Sequence, residues 1–156
     1  MNYTINMSRK ERIFLDSSII IGLFSGEDDA EKILGRIISQ SLCINEVVFS
    51  EVVYKAMILK FLETEENFSL KKLKRDIDSY VYLYGEFSKF SDEFEIEFLI
   101  ITEEVVEIAS SLASKYKLLP NDALIAATCK HYGIDKIATF DPDFKRVDFL
   151  EIIELG

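Results

Sequence analysis

A chain of 156 residues with 49% hydrophobic content is long enough to fill one core and too short for two comfortable domains, so residues 1–156 are read as a single domain. A formal net charge of -10 argues against a protein that holds nucleic acid by broad electrostatic attraction, because that mode needs many Lys and Arg contacts to phosphate. Two cysteines, Cys43 and Cys129, argue against a disulfide scaffold, and with the single His131 they fall short of a structural zinc tetrad.

The opening MNYTINMSRKERI has no apolar centre of the kind a secretory signal carries, and residues 1–10 are expected to be frayed. No run of 18 uncharged apolar residues occurs, so the sequence predicts a cytoplasmic protein with no membrane segment. Residues 12–16 (RIFLD) read as a short apolar strand ending in Asp16, with Ser17 and Ser18 placed to cap the helix that follows. Residues 27–39 are acidic in their first turn and apolar at Ala30, Ile33, Leu34, Ile37 and Ile38, which is helical spacing with one buried stripe. Residues 41–44 form a second strand, and 46–62 a long helix on which Glu51 interrupts an otherwise apolar face, with Lys55 one turn on.

Residues 62–93 read as a helical insertion or hairpin. Within it the segment 69–90 is predicted as one helical stretch, with Lys71, Lys72, Lys74 and Arg75 at its start and Tyr80, Tyr82, Tyr84 and Phe87 later. Interleaved basic and aromatic side chains suit single-stranded nucleic acid, and a solvated helix end or a dimer-packing face suits the same pattern at least as well. An alternating strand over 95–101, a helix over 103–115 and a turn at 118–120 come next. Asn121 or Asp122 then opens the helix DALIAATCKHY, closed by Gly133, and strands at 136–140 and 149–153 finish the pattern. Strands alternating with helices predict an α/β fold: a three-layer α/β/α sandwich around a central parallel sheet of four to five strands.

Four acids stand where an apolar run gives way to a new element: Asp16, Glu51, Asp122 and Asp141. Loops after the carboxyl ends of parallel strands gather on one rim, which is where Asp16 and Asp141 fall. Two carboxylates about 5 Å apart repel by roughly 3 kcal/mol at an effective dielectric near 20, and a bound cation reverses that sign. Asp143 competes with Asp141, being two residues away on a segment that Pro142 biases toward an extended form. A Cys-His nucleophile is a poor rival, because Cys129 and His131 are two apart on one helix and face apart, while Cys43 with His131 stays open.

At IFLDSSIIIGLF, FSEVVYKAMI, NDALIAATCKHYGI and IATFDPDF the chain resembles the PIN domain family, which includes the VapC-type ribonuclease toxins, in order from about Arg12 to Leu150. The resemblance implies a PIN-like fold and a metal-dependent endoribonuclease with Asp16, Glu51, Asp122 and Asp141 as catalytic acids. Of these Asp16, Asp122 and Asp141 would ligate Mg²⁺ or Mn²⁺, the hard cations that carboxylates prefer. Ser17, Ser18, Thr139 and Asp143 would support them, with Ser18 standing where many members carry Asn. Lys71, Lys72, Lys74 and Arg75 would contact RNA. A small antitoxin protein and a homodimer partner are implied too, and the alternative is a non-catalytic PIN-like module that binds RNA or protein.

Overall fold

The computed structural model describes residues 10–156. The expected fraying of residues 1–10 therefore falls, but for Lys10, outside the described residues. Five strands form one parallel sheet: β1 (Arg12–Leu15), β2 (Ser41–Asn45), β3 (Glu97–Leu99), β4 (Lys136–Ala138) and β5 (Glu151–Ile152), in the spatial order β3-β2-β1-β4-β5. In β1, consecutive residues Ile13, Phe14 and Leu15 are all buried although they point to opposite faces, so helices cover the sheet on both sides. The helices are α1 (Ser17–Phe24), α2 (Asp28–Ile37), α3 (Glu46–Leu62), α4 (Leu70–Arg75), α5 (Tyr82–Glu93), α6 (Glu103–Tyr116) and α7 (Pro120–Tyr132). This is the three-layer α/β/α sandwich that the strand and helix periodicities predict. Among the described residues no helix is long and apolar enough to cross a membrane.

Local signals explain most boundaries. Asn45 caps α3 by accepting from the Val48 N–H, and Thr102 caps α6 by accepting from the Val105 N–H. Gly133, at φ 71°, ends α7 in the left-handed conformation that a residue with a Cβ resists. The acids of the first turn of α2, Asp28, Asp29 and Glu31, complement the helix dipole.

The structure corrects four boundaries. The helical stretch expected over 69–90 is broken into α4, a 3-10 turn at Ile77–Ser79, and α5. Asp76, Asp78 and Ser79 are weak helix formers, and Arg75 clamps the Asp76 carboxylate at 2.8 Å. The strand expected over 95–101 keeps only β3, because Glu95 turns at φ 50° just before it. Strands β4 and β5 are also shorter than expected, so Asp141 sits three residues past β4 rather than next to it. Finally, α1 is not capped by Ser17 or Ser18. Asp16 occupies the capping position with no side-chain cap bond, and the serines are helical.

The order of the strands decides where a ligand could sit. From β1 the chain steps outward to β2 and β3, then returns to β4 on the other side of β1. The crevice at the carboxyl ends of β1 and β4 is thus the point where the winding reverses, and open parallel sheets form their binding sites there. The Asp16 N–H donates to the Ala138 carbonyl at 3.0 Å, which joins the two strand ends at that crevice.

Candidate metal centre

Asp16 leaves β1 in extended conformation and is 5% exposed. A buried carboxylate needs donors, and two hydroxyls supply them. Ser18 Oγ donates to Asp16 Oδ2 at 2.8 Å, and Thr139 Oγ1 donates to the same oxygen at 2.7 Å. Each hydroxyl is itself held by backbone: Ser18 Oγ accepts from the Phe140 N–H, and Thr139 Oγ1 accepts from the Asp141 N–H. Asp141 Oδ1 in turn accepts from the Asp143 N–H at 2.9 Å. A single relay therefore runs from the 3-10 turn Pro142–Arg146 through Thr139 to Asp16 and links the two strand ends. Ser17 is buried but makes no hydrogen bond to these acids among the described residues.

Pro120 starts α7 and sets Asp122 in its first turn, with Leu119 at the cap position in place of the expected Asn121 or Asp122. Asp122, Asp141 and Asp143 each present one carboxylate oxygen within 4.8 Å of the other two. Both members of the Asp141 and Asp143 pair thus join Asp122. Asp143 arrives there from a 3-10 turn rather than from the extended segment expected, while Asp16 is not one of the three.

The electrostatics follow from this crowding. Burial, then the charges of Asp141, Asp16, Glu51 and Asp143, push the Asp122 carboxyl up to about 6. Glu51, half-buried on α3, is also raised, by burial first; Lys55 opposes the shift from 3.7 Å, and Asp16 and Asp141 add to it. The expected helical pair with Lys55 is present, and the same side chain faces the acids. All four sequence-predicted acids, and Asp143 with them, therefore act on one another.

The basic cluster is partly consumed. Lys72 pairs with Glu65 at 3.1 Å and Arg75 with Asp76, while Lys71 and Lys74 have no ion pair among the described residues. The thiols are poor nucleophiles. Burial pushes Cys43 up to about 12 and raises Cys129 well above its ordinary range. The Cys43 Sγ donates to the Ile13 carbonyl, and His131 packs edge-on to Tyr132.

Two groups escape a reading of the sequence alone. Arg146 donates to Asp143 Oδ1 at 3.0 Å and to the carbonyls of Tyr116 and Lys117, so it fastens the third carboxylate to the end of α6. The i,i+3 spacing from Asp143 is its one sequence signal. Asn45 and Thr128, both fully buried, are joined by a 2.9 Å bond from the Asn45 amide to Thr128 Oγ1. Thr128 lies within an apolar run, and nothing in that run marks its partner.

The donor set is all oxygen, crowded and anionic, which is the chemistry that Mg²⁺ and Mn²⁺ accept. The PIN domain family matches residues 13–150. The chain belongs to the PIN domain family. Among its relatives, this PIN domain is 41% identical to Ribonuclease VapC6 of Methanocaldococcus jannaschii over 148 residues, covering 91% of this chain and 96% of the relative. It is 39% identical to Ribonuclease VapC2 of the same organism over 153 residues, covering 94% and 95%. Solved structures share the fold at lower identity. A toxin-antitoxin complex from Klebsiella pneumoniae superposes with a TM-score of 0.61 at 20% identity, covering 89% of this chain and 95% of that one. Mycobacterium tuberculosis VapC20, a Sarcin-Ricin loop cleaving toxin, gives 0.61 at 16% identity, covering 91% and 99%.

Proposed function

We propose that this PIN domain is a metal-dependent endoribonuclease that hydrolyses RNA phosphodiester bonds and acts as the toxin of a toxin-antitoxin pair. The observation that carries the reading is the convergence of the Asp122, Asp141 and Asp143 carboxylate oxygens at the β1/β4 crevice. Two relatives of near-equal length that are named ribonucleases support it. Asp122, Asp141 and Asp143 would hold Mg²⁺ or Mn²⁺, and Asp16 adds its charge, its rotamer fixed by Ser18 and Thr139. When bound, such a cation supplies Lewis acidity toward a phosphoryl oxygen and makes water a stronger acid.

The chain's own groups do the rest. Glu51, raised above an ordinary carboxylate by burial and by the charges of Asp16 and Asp141, would accept the proton of the attacking water. Its pairing with Lys55 keeps that base from protonating too early. The rigid relay through Thr139 fixes the acids relative to each other, so the reacting phosphate meets a preorganised field. The partners that accompany this reading are an RNA substrate, an antitoxin protein and a second copy of the chain in a homodimer, in the cytoplasm.

Metal titration with thermal unfolding and RNA cleavage tests the proposal. Mn²⁺ at a hundred times its dissociation constant should stabilise the protein by about 2.7 kcal/mol. Asp122→Asn should abolish that stabilisation and the cleavage of a mixed-sequence RNA, while the fold is retained. Cleavage by Asp122→Asn at the wild-type rate would refute it, and a wild type with neither metal shift nor cleavage would make the chain a non-catalytic binding module.

A further inference from the structure

A hollow of about 200 Å³ opens beside the acids and shares Asp141 with them. Phe140, Asp141 and Lys145 form one wall, and Ile33, Ile153 and Leu155 line the rest. The far wall is fixed, because Arg36 on α2 donates to the Glu154 carbonyl. The volume lies below the roughly 300–1,000 Å³ of sites that enclose drug-sized ligands. It suits one planar ring system and not a folded ligand.

Phe140 is an unusual residue to leave in solvent. The residue is 40% exposed, yet its backbone is pinned through its N–H to Ser18 and through both neighbours to Asp16 and Asp143. Exposed aromatic rings are common singly and need no role. This one is held rigidly at the rim of an acidic centre, next to a vacant hollow. Lys145, on the same wall, has no carboxylate partner among the described residues of a chain whose net charge is -10.

Acids that gather a cation also repel the phosphates flanking the one to be cut, and the chain has little positive charge to offset that. Stacking on an aromatic face supplies affinity without charge, and it is open to a base of single-stranded RNA but not to one stacked in a duplex. We propose that the hollow is a nucleobase subsite, in which the base next to the scissile phosphate stacks on Phe140 while Lys145 meets an adjacent phosphate. This rests on the ribonuclease reading of the acidic centre and adds to it a subsite at Phe140 and Lys145.

The test uses a fluorescein-labelled single-stranded oligoribonucleotide, with both binding and cleavage measured. Phe140→Ala should raise the Kd and the KM about 5- to 150-fold, the span of a lost stacking contact, with a much smaller change in kcat. Phe140→Tyr should restore wild-type values, and the Mn²⁺-induced thermal shift should persist in both variants, showing that the acids are intact. An abasic nucleotide beside the cleaved bond should weaken wild-type binding by a similar factor and add nothing further in Phe140→Ala. Lys145→Gln should weaken binding of normal and abasic RNA equally. If abasic substitution at each position flanking the cut costs wild type and Phe140→Ala the same factor, the subsite is refuted even though RNA is cleaved. If that coupling appears in binding while no RNA is cut, the subsite stands and the nuclease reading falls.

Discussion

Asp122 carries the most perturbed charge of the acidic centre, and its titration has consequences for the metal-free protein. In an unfolded chain an Asp titrates near 3.9, whereas in the native state burial and four neighbouring acids push Asp122 up to about 6. Between about pH 4 and 6 the native state holds a proton that the unfolded state has lost, so stability falls as pH rises through that window. Glu51, also raised, acts in the same direction. Asp76 and Asp148 are held low by hydrogen bonds from Arg75 and Tyr116, so their contributions are lost only at lower pH. The metal-free protein is therefore expected to show a higher urea midpoint at pH 5 than at pH 7.5. Asp122→Asn should flatten the difference and raise the midpoint at pH 7.5, because one charge leaves a crowded site. An unchanged slope in Asp122→Asn would show that the repulsion resides elsewhere. With Mn²⁺ present the wild-type preference for low pH should reverse, since deprotonated carboxylates are what the cation binds.

Helices α3 and α7 each bring one acid to the crevice, Glu51 and Asp122, and the buried Asn45–Thr128 bond joins the cap of α3 to α7. Asn45 does two jobs at once: Oδ1 caps α3 and the amide nitrogen grips Thr128, whose hydroxyl donates on to the Leu124 carbonyl. Asn45→Ala removes a cap worth about 1 kcal/mol and a buried hydrogen bond worth about 1 kcal/mol, so a loss near 2 kcal/mol in denaturant unfolding is expected. Thr128→Ala leaves the Asn45 amide without its acceptor and should cost about 1–3 kcal/mol. The double variant should cost clearly less than the sum of the two, and both single variants should bind Mn²⁺ more weakly even where fully folded. Strict additivity would show that the bond does not couple the helices. This bond also marks how far the sequence could be read. Strands and helices were legible because their periods differ, Asp16, Asp122 and Asp141 because each stands near an element boundary, and Glu51 because it interrupts the apolar face of α3. Ser18 and Thr139 were legible as hydroxyls near Asp16, although that both would share Oδ2 was not. The break in 69–90 is hidden because basic and aromatic spacing stays helical across Asp76 and Ser79, while Tyr84 and Phe87 of α5 pack on Phe49 of α3, a contact that the segment itself does not show. Arg146 and Thr128 were missed for a related reason: what they touch is distant in sequence, and their own neighbours carry no trace of it.

At the scale of the whole molecule the question is how a chain of net charge -10 engages a polyanion. Binding to single strands loses affinity with salt at a slope near -0.7 for each phosphate neutralised, so the slope counts the cations in use. At the crevice and on α4, Lys55 is committed to Glu51, Arg146 to Asp143, Lys72 to Glu65 and Arg75 to Asp76, which among the described residues there leaves Lys145, Lys71 and Lys74 without an ion pair. Three phosphate contacts from these side chains give a slope no steeper than about -2 in the logarithm of the association constant against log salt. A single contact at Lys145 gives a slope of about -0.7. The measurement is anisotropy of a labelled single-stranded RNA between 50 and 200 mM KCl at fixed Mn²⁺, a range over which highly basic binders lose about a thousandfold or more. This chain is expected to lose well under a hundredfold. Lys71→Ala and Lys74→Ala then decide whether α4 takes part: each should reduce the slope by about 0.7 if it grips phosphate and leave it unchanged if α4 faces solvent or a second copy of the chain. A slope steeper than about -2 would mean that further cations, such as Lys72 and Arg75 now paired with Glu65 and Asp76, also engage phosphate.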